Sequence, residues 1–219
     1  MRIDSHQHFW EFDPIRDSWI NNSMTKIRKD FLPEDLIGIL DKNKIDGCIS
    51  VQADQSKEET KFLLDHAAKN SFIKGVVGWV DLCDGNVKHT LEYYTKNPFF
   101  KGVRHVVQAE PKGFMLKENF QNGISKLKDF NLTYDILIYP KQLKEAIELV
   151  KKNPDQDFVL DHIAKPLIKN KEIADWSNGI LEIGGFKNVY CKLSGLVTEA
   201  DWKNWSKSDF KDYLELVLN

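Results

Sequence analysis

The chain has 219 residues, with 31 Lys and Arg against 33 Asp and Glu and a formal net charge of −2. The charges are interspersed, so no basic stripe is available for nucleic-acid phosphates or anionic lipid, and no apolar run reaches the ~18–20 residues that span a bilayer. The expectations are a small-molecule partner, no nucleic acid and no membrane; Cys48, Cys83 and Cys191, widely spaced without a CxxC pair, suit reduced thiols in the cytoplasm.

Apolar runs of strand length recur along the chain: Ile3–Phe9, Gly47–Ala53, Ile73–Val80, Gly102–Val107, Leu132–Ile138, Phe158–His162 and Val189–Leu193. Helix-like patterns separate them, over Pro33–Leu40, Glu58–Ala68, Lys88–Tyr94, Phe120–Phe130, Gln142–Val150 and Ile173–Ile183, with Gly, Asn or Pro at several joins. Strict alternation of strand and helix predicts an α/β fold with parallel strands joined by right-handed crossovers. No GxGxxG or GxxxxGK[ST] follows the first strand, and polar residues gather at the C-terminal ends of nearly every strand. Both features favour a TIM-like (β/α)8 barrel over an open nucleotide-binding sheet. No linker or repeat interrupts residues 1–219, so a single domain is expected. Seven strands are counted where a barrel needs eight, and the chain stops in an amphipathic helix, Asp212–Asn219, whose Leu214, Val217 and Leu218 call for a sheet to pack on. The expectation is a barrel truncated at its C-terminus, with the last strand missing.

At the end of the first strand, Asp4, His6 and His8 alternate onto one face. Two imidazoles there can converge on one metal ion or one substrate carbonyl, and a catalytic zinc adds a third protein ligand while leaving a position for water. His162, ending the Phe158-Val-Leu-Asp-His run, is the best third member; a hydrogen-bonded core histidine is the bland alternative. Arg104 and His105 face opposite ways on the fourth strand, and whichever faces inward would contact a carboxylate or lactone oxygen. Asp135 is costly to bury unpaired, so it is an inward site residue or a partner that orients a histidine or Arg104. Lys165 could hold a substrate oxygen from its loop, and Trp79, with Trp10, Trp202 and Trp205, could wall a sugar site or simply pack.

Six ordered motifs carry a resemblance over essentially the whole chain: Ile3-Asp-Ser-His-Gln-His-Phe-Trp, Asp30-Phe-Leu-Pro-Glu-Asp-Leu, Gly75-Val-Val-Gly-Trp-Val-Asp-Leu, Gly102-Val-Arg-His-Val-Val-Gln, Leu160-Asp-His-Ile-Ala-Lys-Pro and Cys191-Lys-Leu-Ser-Gly-Leu-Val-Thr-Glu. Together they resemble the amidohydrolase-related (amidohydrolase 2) family, and within it the sugar-lactonase branch that includes L-fuconolactone and L-rhamnonolactone hydrolases. The resemblance implies a TIM-like barrel and opening of an aldonolactone ring by activated water. It assigns His6, His8 and His162 to the catalytic and metal-ligating set and places Arg104 and His105 near the substrate. It implies a divalent cation such as zinc in some members and no metal in others. The family's last strand ends in a Gly-Ser-Asp-Trp-like motif whose aspartate acts as general base, and no such motif occurs among these 219 residues. As written, the chain is therefore expected to have weak activity or none. Two other readings stay open: a non-catalytic remnant that binds ligands or forms homo-oligomers, and a decarboxylase or amide hydrolase on the same scaffold.

Overall fold

The computed structural model describes residues 1–219. The seven expected strands all form: β1 (Ile3–Gln7), β2 (Gly47–Val51), β3 (Ile73–Gly78), β4 (Phe100–His105), β5 (Thr133–Ile136), β6 (Phe158–Leu160) and β7 (Val189–Cys191). They lie in chain order in one sheet. Eight α-helices follow them: α1 (Pro33–Lys42), α2 (Lys57–Lys69), α3 (Val87–Tyr94), α4 (Glu118–Leu127), α5 (Leu143–Lys152), α6 (Ala174–Gly184), α7 (Leu196–Glu199) and α8 (Lys211–Leu218). This is the repeat of a TIM-like (β/α)8 barrel with seven of its strands. The residues group into two compact units, Met1–Trp79 with Asn97–Lys101, and Val80–Lys96 with Gly102–Asn219; β4 contributes its first residues to one and the rest to the other.

In the first unit β1 pairs with β2 and β2 with β3, all parallel. Cys48, Val51, Ile73, Val76 and Val77 are buried, as the near-continuous apolar runs of a doubly covered parallel sheet require. Gly47 is needed where it stands: a Cβ there would lie 2.3 Å from the Phe72 carbonyl oxygen. Pro33 opens α1 with its missing N–H at a position that needs none, and the Asp35 carboxylate accepts the Leu32 N–H at 2.9 Å. Ser56 caps α2, its Oγ accepting from Glu59 N–H at 3.1 Å.

Glu59 is 6% exposed, and its Oε1 accepts the Ala53 N–H at 3.0 Å. Burial pushes this carboxyl above its ordinary 4.5, with backbone donors pulling the other way. A folded value above the unfolded one means stability that is full below pH 4.5 and is lost as pH rises through the folded value. Glu59→Gln keeps an acceptor and removes the charge. Urea midpoints measured across this range should fall less steeply with pH in the variant, and equal slopes would contradict the assignment.

In the second unit β4, β5, β6 and β7 pair in sequence, again parallel. Its core joins Val103, Tyr134, Ile136, Phe158 and Leu160 to Phe120, Ile124 and Leu127 of α4 and Ala146, Leu149 and Val150 of α5. The C-terminal helix packs differently from expectation. Tyr213 is its buried anchor, meeting Trp176 of α6 edge-on at 5.2 Å, with Phe210 buried just ahead of the helix, while Leu218 stays 68% exposed.

Candidate active site

In the first unit the site residues come from β1. Between Asp4 and Gln7 the pairing with β2 slips by one residue, a β-bulge, of the kind that re-aims side chains near functional sites. Asp4 turns back to hold it: one carboxylate oxygen accepts the His6 N–H at 3.0 Å and the other accepts from Gln7 Nε2 at 2.7 Å. His6 and His8 then meet ring to ring, Nε2 to Nε2 at 3.0 Å with planes at 84°. His8 Nδ1 lies 2.8 Å from the Val51 carbonyl oxygen, which can only accept. The proton of a neutral His8 therefore sits on Nδ1, and Nε2 turns a lone pair toward His6. Trp79, half-buried at the end of β3, has both backbone groups tied to Thr60 Oγ1, at 2.8 Å each.

In the second unit four charged side chains form one buried network. Arg104 on β4 donates from Nη1 to Asp161 Oδ2 at 3.1 Å. Lys192, just past β7, pairs with Asp161 Oδ1 at 2.9 Å and with Asp135 Oδ2 on β5. None of the four is more than 7% exposed. Burial first, then the neighbouring Asp161 charge, pushes the Asp135 carboxyl up, and Lys192 draws it back. Of the β4 pair, Arg104 is thus the residue that joins this network. His105 lies on the opposite face: Nε2 is 2.9 Å from Glu110 Oε1, and the ring stacks on Phe114 at 4.9 Å.

His162 follows β6 on unusual backbone. Residues His162, Ile163, Ala164 and Lys165 have φ of 54°, 48°, 58° and 48°, four non-glycine residues in the left-handed region, each at a cost of order 1 kcal/mol. The surroundings impose it: Trp176 Nε1 donates to the Ile163 carbonyl at 2.7 Å, and Lys165 N–H to that of His162 at 2.8 Å. The His162 ring is fixed through Nδ1, 2.8 Å from Ser194 Oγ. Gly195 beside it has φ +70°, and a Cβ there would fall 2.8 Å from the imidazole. The sequence reading named His162, Arg104 and Asp135 but gave no role to Asp161, Lys192 or Ser194. Its one signal was the clustering of polar residues at strand ends.

A family model described as Amidohydrolase matches residues 3–219. The chain is 31% identical over 226 residues to a Burkholderia multivorans protein named L-fucono-1,5-lactonase, covering all of this chain and 76% of that one. To the L-fucono-1,5-lactonase of Burkholderia ambifaria it is 32% identical over 200 residues, covering 91% of this chain and 69% of the relative. Among solved structures, an amidohydrolase from B. multivorans with bound Zn superposes with a TM-score of 0.95 at 32% identity, over 100% of this chain and 79% of the other.

Proposed function

The chain belongs to the amidohydrolase family, and from that premise we propose that it opens an aldonolactone ring with water at a site holding one divalent cation. The observation that carries the reading is the β1 pair: two imidazole Nε2 atoms 3.0 Å apart, with His8 Nδ1 committed to the Val51 carbonyl. The donor set proposed is the one that the family resemblance implies, His6, His8 and His162. Neutral imidazole nitrogens suit zinc or a similar divalent ion, and the zinc in the B. multivorans structure supports that choice. When bound, such a cation supplies Lewis acidity at a carbonyl oxygen.

The protein's own groups prepare the site. Val51 O and Ser194 Oγ set the orientation of His8 and His162, and Arg104 with Lys192 holds Asp161 in place. Water adds to the lactone carbonyl carbon, the bond from that carbon to the ring oxygen breaks, and the ring oxygen takes a proton, giving the hydroxy acid. Asp161 and Asp135 are committed to cations, so neither is assigned the proton of the attacking water. Three free thiols suit a reducing cytoplasm. The test is acid release from a 1,5-aldonolactone: zinc-loaded protein should exceed spontaneous ring opening, and chelation should return the rate to background. Equal rates with zinc-loaded, stripped and absent protein would overturn the reading.

A further inference from the structure

The four left-handed residues after β6 follow an anchored one, since Asp161 is fixed by Arg104 and Lys192. From α6, Trp176, 2% exposed, donates its indole N–H to the Ile163 carbonyl at 2.7 Å. Ile163 is the costliest member of the run: it is fully buried at φ 48°, and a β-branched residue rarely adopts that conformation. Lys165 N–H closes the turn on the His162 carbonyl at 2.8 Å.

A buried indole N–H needs an acceptor, and any carbonyl of the core would satisfy it. This one falls on the residue next to His162. The donating ring is itself held, because Tyr213 of α8, 5% exposed, meets it edge-on at 5.2 Å. The His162 imidazole has little room to follow a turn that relaxes. Its Nδ1 is 2.8 Å from Ser194 Oγ, and the ring lies so close to Gly195 that a Cβ there would fall 2.8 Å from Cγ.

Resting on the reading of His162 as a metal ligand, we propose that Trp176 is a positioning residue. Its N–H holds Ile163, and with it the His162 backbone, in the left-handed turn that presents the imidazole for binding. Tyr213 backs it from α8. Trp176 acts on the cation only through His162.

Zinc competition against a chelating dye tests this on the full chain carrying Trp176→Phe, which keeps an aromatic ring and lacks the N–H. Affinity should fall about five- to ten-fold, the order of one buried hydrogen bond. Adding Ala164→Gly should restore most of it, because glycine meets no steric cost at the φ of 58° found there. With His162→Ala already present, Trp176→Phe should change zinc affinity by less than about two-fold. Ile124→Val, a core change in α4, controls for lost stability alone and should leave zinc affinity as it was. No loss with Trp176→Phe, a loss that glycine leaves uncorrected, an equal loss without His162, or an equal loss in Ile124→Val would each overturn the role of Trp176.

Exchange of the Lys165 amide, followed by NMR without zinc, keeps this role separate from the metal reading. Trp176→Phe should speed it several-fold, and Ala164→Gly should reverse the change. That pattern in a chain that binds no zinc would sink the metal reading while Trp176 still positions His162. Unchanged exchange would contradict the positioning itself.

Discussion

Replacing Asp161 by alanine should destabilise the fold by about 3–5 kcal/mol, the usual result of removing one partner from a buried ionic network. Asp161 is fully buried and takes Arg104 at 3.1 Å and Lys192 at 2.9 Å. Without it the Arg104 guanidinium, 4% exposed, loses the Asp161 carboxylate, and Lys192 loses one of its two carboxylate partners. For a chain of this length the melting temperature should fall by on the order of 10 °C. Adding Arg104→Met to Asp161→Ala should recover part of the loss, because the orphaned charge is then gone. Thermal and urea unfolding of the single and double variants measure both effects. A loss below about 1 kcal/mol would mean that the network behaves as a solvated surface pair.

The second large effect concerns metal affinity, and it is graded. His6→Ala, His8→Ala and His162→Ala each remove a proposed ligand and should weaken zinc binding by more than about 100-fold. Ser194→Ala removes only the partner of His162 Nδ1 and should cost about 10–100-fold, as outer partners of metal-bound histidines commonly do. Competition against a chelating dye reads both. A Ser194 variant that matched the histidine variants, or histidine variants that bound zinc like the parent, would count against the ligand set.

The sequence made the architecture legible because strand and helix periods are local. Each of the seven apolar runs became a strand within a few residues of its expected bounds, and β4 starts at Phe100, two residues ahead of its pattern. The convergence of His6 and His8 was readable from alternation, though Asp4, expected on the same line, folds back to hold a bulge that no local pattern announces. What stayed hidden was pairing across strands. That Arg104 and Lys192 share Asp161, which precedes the histidine the pattern singled out, depends on register between β4, β6 and β7. The left-handed run from His162 to Lys165 was equally silent, because it contains no glycine and is imposed by Trp176 and its neighbours. The short helix α7, which carries Glu199, is only four residues long and left no periodic signal.

Central to the account is a divalent cation held by imidazole rather than by the three free thiols. Zinc K-edge X-ray absorption on the full chain with one equivalent of zinc reads that shell directly. The account predicts nitrogen and oxygen neighbours at ~2.0–2.1 Å with the outer-shell pattern of coordinated imidazole. Sulfur at ~2.3 Å, or an oxygen shell with no imidazole pattern, would contradict it.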